Sequence, residues 1–401
     1  MGHSRILLAE ADTRSGLAVA RSAVRAGYEP VGALVDPNSF VARSRAFRKG
    51  GVLAVPDPGK DEAGFRKRVF EEARARDCVG VVPITDLALS ALSGERSDDV
   101  TFIGPSQESA ELVIDKEKHL ALAHSLGLPC PTEVPVASPE DVTAASRDHP
   151  FPWVIKLRDK RTRHEALPGF AVWHVDSPDE AREKLEVLSR LGISTLVQRY
   201  YAGRIHNLCC FAVEGKMVAA HEYVSLRRSA STGILREIVE ADPSLLDFAG
   251  RVLEATRWEG VANVQFIVGE GADAVRYLET NGRFWASTQG SINAGWDFPR
   301  WAIEYFLRGR VPEPGPLRVG SRTCYHAGDL RALIRYLMGG ASPTTGREPG
   351  VLGAILDYLK GFGPTVRSDV LRFADPIPGW VEHWRLLMGS LSKLRRRTRE
   401  N

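Results

Sequence analysis

No run of about eighteen apolar residues occurs in the 401-residue sequence, so a membrane-spanning helix is not expected. No signal peptide is visible. Cysteine is sparse: Cys78, Cys130, Cys209, Cys210 and Cys324 are odd in number and show no C-x-x-C spacing. That argues against a disulfide framework and fits reduced thiols in a cytoplasmic protein. Neighbours on a strand point to opposite faces, so Cys209 and Cys210 should not share a metal site with His206. Net charge is only +3, which gives no argument for a nucleic-acid partner. The first strand-to-helix turn, residues 10–16, lacks G-x-G-x-x-G, and no triad or nucleophile elbow is present, so neither a dinucleotide fingerprint nor nucleophilic catalysis is expected. What the sequence does have is mass: with 43% hydrophobic residues it can bury a large core and divide into about two to four lobes.

Strand patterns at 6–9, 31–35, 78–84 and 100–103 alternate with helical periodicity at 15–26 and 65–76, which predicts a small parallel sheet. The strand ends near Asp12, Asp36, Thr85 and Asp86 would form a ligand crevice, and the same aspartates equally suit helix caps. Helices are expected at 107–126 with a second start at Asp115, at 179–191, at 244–257 and at 301–308. Residues 312–316 read as a linker, and the last eighty or so residues as helices ending in a basic stretch at 393–397.

The informative stretch is 260–299. V-A-N-V-Q-F-I-V at 261–268, a Gly/Asp turn, and a short return strand at 274–279 predict a β-hairpin. Alternation places Val261, Asn263, Gln265 and Ile267 on one face, and sets Glu279 and Asn281 together. Gln265, Glu279 and Asn281 would offer oxygen-only ligands, suited to Mg²⁺ or Mn²⁺ bridging phosphates. Arg283 stands ready to neutralise phosphate oxygens. Spacing alone fits a solvated polar hairpin edge equally well.

Glu-x-Asn-x-Arg at 279–283, preceded by N-V-Q-F and followed by F-W-A-S and G-W-D-F-P, resembles the metal-binding end of the ATP-grasp superfamily, in particular the predicted carboxylate-amine ligases. The resemblance implies an α/β ATP-grasp fold with an N-terminal Rossmann-like pre-ATP-grasp domain (1–112), an ATP-grasp N-terminal subdomain (113–195), a C-terminal subdomain with the metal site (196–310) and a helical C-terminal extension (311–401). Asp115-Lys116, a helix and then G-L-P-C-P-T are similar to the boundary into the ATP-grasp module, which implies that Lys116 lies near the nucleotide phosphates. F-P-W-V-I-K-L at 151–157 resembles the strand whose lysine, here Lys156, meets the α/β phosphates. The basic loop at 158–170 takes the place of a Gly-rich loop over the triphosphate. L-V-Q-R-Y-Y-A-G at 196–203 looks like the hinge whose backbone binds adenine, through Gln198, Arg199, Tyr200 and Tyr201, with His206 at the ribose position.

Residues 223–233 read as a small-residue loop leaving a strand, similar to the segment that faces the acyl phosphate, with Arg227 the better match of Arg227 and Arg228. The resemblance implies ATP and Mg²⁺ as cofactors, a small-molecule carboxylate and amine as partners, and activation through an acyl phosphate assisted by Arg283 and Arg227. A homodimer stands as an open option. Two rival readings also stay open. One is nucleotide binding without ligation, suggested by His206, Arg199 and the Gly-poor loop; the other is carboxyphosphate chemistry from bicarbonate, hinted at by Gln265.

Overall fold

Ile6, Leu7, Leu8 and Ala9 are all fully buried, because the strand they form, β1 (Arg5–Ala9), runs down the middle of a parallel sheet covered on both faces. The chain continues through α1 (Arg14–Arg25), β2 (Glu29–Leu34), β3 (Val52–Ala54), α2 (Glu62–Ala75), β4 (Cys78–Pro83), α3 (Asp86–Leu92) and β5 (Thr101–Phe102). The sheet order is β3-β2-β1-β4-β5, every pair parallel, as the alternation of strands and helices predicts. The computed structural model describes residues 4–95, 97–159, 161–162, 167, 172–229, 232–271, 275–340 and 349–400, with side chains to 388 in the last helix.

The aspartates at the strand ends are not helix caps. Thr13 caps α1 and Thr85 caps α3 through their hydroxyls. Asp12 instead accepts from the Val35 and Asp36 amides, at 2.8 and 3.0 Å. Asp86 is left to reach across the cleft.

Next come α4 (Gln107–Ile114) and α5 (Lys116–Ser125), broken at Asp115, whose carboxylate caps α5 through the Glu117 and Lys118 amides. After α6 (Val142–Asp148), a small antiparallel sheet forms with β6 (Trp153–Leu157) between β7 (Val172–Val175) and β8 (Thr195–Arg199), backed by α7 (Pro178–Arg190). Trp153 and Ile155 fill the core beneath it. The period of two therefore turns Val154 and Lys156 to the opposite face.

The larger lobe is a third sheet. It is built from β9 (Arg204–Val213), β10 (Lys216–Ser229), β11 (Thr232–Val239), α8 (Pro243–Ala255), β12 (Gly260–Val268), β13 (Val275–Asn281), α9 (Thr288–Ala294) and α10 (Phe298–Arg308). The chain ends through β14 (Arg322–Cys324), α11 (His326–Leu337), α12 (Gly350–Lys360), β15 (Val366–Ser368) and α13 (Ile377–Glu400). Strand order is β13-β12-β9-β10-β11-β14-β15. One hydrophobic core joins this lobe to the first, from Ile6, Leu17 and Val82 through Phe284, Trp285 and Phe298 to Phe211 and Val370.

Two expectations are corrected here. The C-terminal extension is not helical alone: β14 and β15 extend the large sheet, and at three residues each they are too short for a period to show in sequence. The segment read as a loop from Tyr223 onward is strand up to Ser229, paired with β11 as a hairpin. Register shifts between Ser225 and Arg228 disguise the alternation.

Candidate functional site

The expected hairpin of β12 and β13 forms, and its register sets Gln265 opposite Glu279 and Asn263 opposite Asn281. It is held from behind, where the Tyr277 amide donates to the Pro129 carbonyl at 2.8 Å and the Thr280 amide to His119 Nε2 at 3.1 Å. At Gly282 a Cβ atom would lie 2.4 Å from the Trp258 ring, so only glycine carries the chain from Asn281 to Arg283 at this approach.

Within the hairpin, Asn281 Nδ2 donates to Glu279 Oε1 at 3.2 Å, and Arg283 lies within 3.5 Å of Asn281 Oδ1. Gln265 Nε2 is committed to Asn207 Oδ1 at 3.1 Å and to Asn263 Oδ1 at 3.4 Å, which leaves Oε1 as its donor atom for a cation. Asn207 on β9 and Asn263 are the second layer that sequence reasoning did not assign. The signal for Asn263 was present, since it shares the Gln265 face; Asn207 comes from a distant strand. Among the described residues no three His, Cys, Asp or Glu side chains cluster as a metal site. The oxygen donors fit Mg²⁺ only as a partial shell, one carboxylate and two amides, of the kind completed by phosphate oxygens and water.

One lysine comes from the small lobe, on β6, and the other from α5, the helix that holds β13 through His119. Lys156 Nζ donates to Gln198 Oε1 at 2.9 Å, and Lys116 Nζ, from the first turn of α5, donates to the Leu157 carbonyl at 2.8 Å. Burial holds Lys156 down at about 8; the neighbouring Lys116 ammonium lowers it further and Glu279 pulls the other way. The Lys116 ammonium and the Glu279 carboxylate thus both lie in electrostatic range of Lys156.

Arg283 Nε pairs with Asp86 Oδ2 at 3.0 Å, tying the hairpin to the strand ends of the first lobe. Glu10, at the end of β1, is buried with its backbone in the left-handed region, φ 56°, and accepts from the Thr85 hydroxyl. Nothing in the local sequence marks Glu10, because its position depends on the parallel pairing of β1 with β4.

At the hinge, the Arg199 amide donates to the Thr132 carbonyl and the Tyr200 amide to the Pro152 carbonyl, at 2.9 and 3.0 Å. Among the described residues the Tyr201 amide has no main-chain partner, and Arg276 stacks on the Tyr201 ring at 4.8 Å. His206 gives Nδ1 to the buried Glu222, whose other oxygen accepts from the Asp242 amide at 3.0 Å. Glu222 was missed because it lies on the neighbouring strand, in range only through the β9–β10 pairing.

Arg227 does not reach the cleft. Its guanidinium is buried against Asp329 and the Asp357 carbonyl, within the C-terminal extension. Burial pushes Asp329 up to about 6 against the pull of Arg227. Arg228 is instead partly buried, in electrostatic range of Tyr200 and His174, and burial lowers it. His174 on β7 is in turn held below its ordinary value by burial, then by Lys156 and Arg228. Of the two arginines, the one expected at the acyl phosphate is the one buried between the sheet and the C-terminal extension. Of the basic loop, residues 160, 163–166 and 168–171 lie outside the described residues; Arg161 pairs with Asp159 and Arg158 with Glu117.

Residues 194–326 match the family described as ATP-grasp in the biosynthetic pathway with Ter operon. No curated protein matches the sequence. Among solved structures, the chain is similar to a biotin carboxylase from Campylobacter jejuni in complex with an ATP analogue, at 14% identity and TM-score 0.61, over 80% of this chain and 74% of that one. It is similar to N5-carboxyaminoimidazole synthetase from Staphylococcus aureus at 12% identity and TM-score 0.60, over 87% and 90% of the two chains. It also resembles the biotin carboxylase domain of Hydrogenobacter thermophilus 2-oxoglutarate carboxylase, a dimer with MgADP and bicarbonate, at 14% identity and TM-score 0.62, over 80% and 74%.

Proposed function

We propose, from the ATP-grasp fold that this chain has, that the protein is an ATP-dependent carboxylate-amine ligase. The γ-phosphoryl group of ATP passes to a substrate carboxylate, giving an acyl phosphate and ADP; an amine then attacks the acyl carbon, forming the C–N bond and releasing phosphate. The observation that supports this best is that Lys156 of the small lobe lies in electrostatic range of both Lys116 on α5 and Glu279 on β13.

In this reading Lys116 and Lys156 hold the phosphates, and Arg283 and Arg228 stabilise charge on the transferred group. Glu279, Asn281 and Gln265 would hold Mg²⁺ or Mn²⁺, which neutralises phosphate charge when bound. The Tyr201 main chain takes the adenine edge, and His206, oriented by Glu222, offers Nε2 to a ribose hydroxyl. The same reading places the protein in the cytoplasm with small-molecule partners; a homodimer remains an option, as the Hydrogenobacter domain is a dimer.

The test is a screen of carboxylates with MgATP and hydroxylamine as the trapping amine. Hydroxamate and ADP formed in equal amounts with at least one carboxylate are the expected result; ADP release that never yields hydroxamate removes the ligase reading. A second reading, carboxyphosphate chemistry, draws on the neighbour that holds bicarbonate. ATP turnover dependent on bicarbonate and independent of other carboxylates would favour it.

Lys156 supplies a further prediction. Its pKa stands at about 8 against an ordinary 10.5. A polyphosphate beside it favours the ammonium and raises that value, so nucleotide binding takes up a proton in the window above pH about 8. Calorimetry at pH about 8.5 in buffers of differing ionisation enthalpy is expected to report this uptake for wild type and not for Lys156→Met. Equal uptake by both would remove Lys156 from the phosphate site.

A further inference from the structure

The last helix turns its apolar side chains outward. Trp380 is 74% exposed and Trp384 65% exposed; Phe373, Ile377, Leu387 and Met388 are exposed with them. Intervals of three and four residues set Ile377, Trp380, Trp384 and Leu387 on one stripe of α13. The opposite stripe fastens the helix to the protein: Leu386 is buried, Glu382 accepts from the Tyr325 hydroxyl at 2.8 Å, and Arg385 donates to the Asn38 carbonyl. A soluble surface does not ordinarily carry two fully offered indoles on a fixed helix.

The sequence beyond Met388 adds Lys393, Arg395, Arg396, Arg397 and Arg399, with Glu400 the one acid after Glu382. The candidate occupants differ in how they suit this charge. A second copy of the chain would bring two strongly basic segments into one contact region. An acidic protein would satisfy the arginines but gives no reason for paired tryptophans. An acidic lipid surface satisfies both, since indole rings favour the headgroup level and arginine favours phosphate.

We propose that α13 is an interfacial helix that seats the protein on an anionic membrane surface, lying in the headgroup region without crossing it. No helix of the described residues is long and apolar enough to cross a membrane, consistent with lying flat. α12, which packs on α11 as α13 does, exposes Leu352 and Leu359 as well.

The full chain is to be sedimented with vesicles of phosphatidylcholine alone and of phosphatidylcholine mixed with phosphatidylglycerol. Binding to the mixed vesicles, weaker at high salt, is expected, with little binding to phosphatidylcholine. Replacing Arg395, Arg396 and Arg397 together with glutamine is expected to weaken binding about a hundred-fold, from about five-fold per basic residue at the surface. Trp380→Ala with Trp384→Ala is expected to weaken it at least about ten-fold while leaving circular dichroism unchanged, because both rings are exposed. Binding to neither vesicle, equal binding to both, or unchanged binding by the tryptophan variant overturns the proposal. So does a concentration-dependent dimer that the tryptophan variant abolishes, since a second copy would then be the occupant.

Discussion

Replacing Glu279 and Asn281 together with alanine is expected to abolish Mg²⁺-dependent ATP turnover, a loss of about a thousand-fold or more, with thermal unfolding close to wild type. The magnitude follows from the donors that remain. Removing one preorganised electrostatic group commonly costs about 10²–10³ in rate, and here both the hairpin's carboxylate and one of its two amide donors go. Gln265 would be left as a neutral ligand facing a doubly charged cation. Its oxygen cannot replace a full negative charge in a cleft that already holds two ammonium groups.

Glu279→Gln alone is the sharper variant, because it keeps shape and removes only charge; it should lose most of the same activity. The fold should persist, since β13 is secured by its pairing with β12 and by the bonds of Tyr277 and Thr280 rather than by these side chains. ADP release measured across a Mg²⁺ titration reads the outcome. Wild-type turnover in the double variant would remove the metal assignment.

The second large effect concerns Asp369. One oxygen of this buried carboxylate receives Arg14 from the start of α1, at 2.8 Å, and Arg236 from β11. Arg14 also lies over the Tyr325 ring at 3.6 Å. Asp369 therefore ties the first lobe and the large sheet to the chain's last segment. Close by, Asp375 binds Arg21, Ser44 and the Arg45 amide.

Asp369→Ala leaves the buried Arg236 guanidinium without its counter-charge and takes the same partner from the half-buried Arg14, and breaking a buried pair from one side costs about 3–5 kcal/mol. Equilibrium unfolding in urea is expected to show a loss of that size. A loss below about 1 kcal/mol would mean that the junction relaxes without it. The two predictions separate the roles of the molecule's charges: Glu279 for the ligand, Asp369 for the frame that holds Asp86 and Arg283 across the cleft.

Particular residues show why one part of the site was readable and another was not. Lys156 stands out because a lone ammonium interrupts an apolar strand, and Lys116 because Asp115 breaks one helix and starts the next. Arg227 and Arg228 are adjacent and chemically identical, and only the sheet decides which is buried. Register shifts between Ser225 and Arg228, together with Asp329 more than a hundred residues away, make that decision. Asp86 reads as a helix cap until Thr85 takes that role and frees it for Arg283.

By itself the sequence determined what depends on neighbours along the chain: the strand and helix periods, the hairpin of β12 and β13, and the Glu279, Asn281 and Lys156 positions on their faces. Periodicity of two or of 3.6 residues is a local property, so it survives in the linear text. The tertiary structure alone decided the pairings between residues remote in sequence: Arg283 with Asp86, His206 with Glu222, Arg227 with Asp329, and Asp369 with Arg14 and Arg236. It also recruited β14 and β15 into the large sheet. Those choices are set by which surfaces can be buried together, a condition on the whole chain that no short stretch contains.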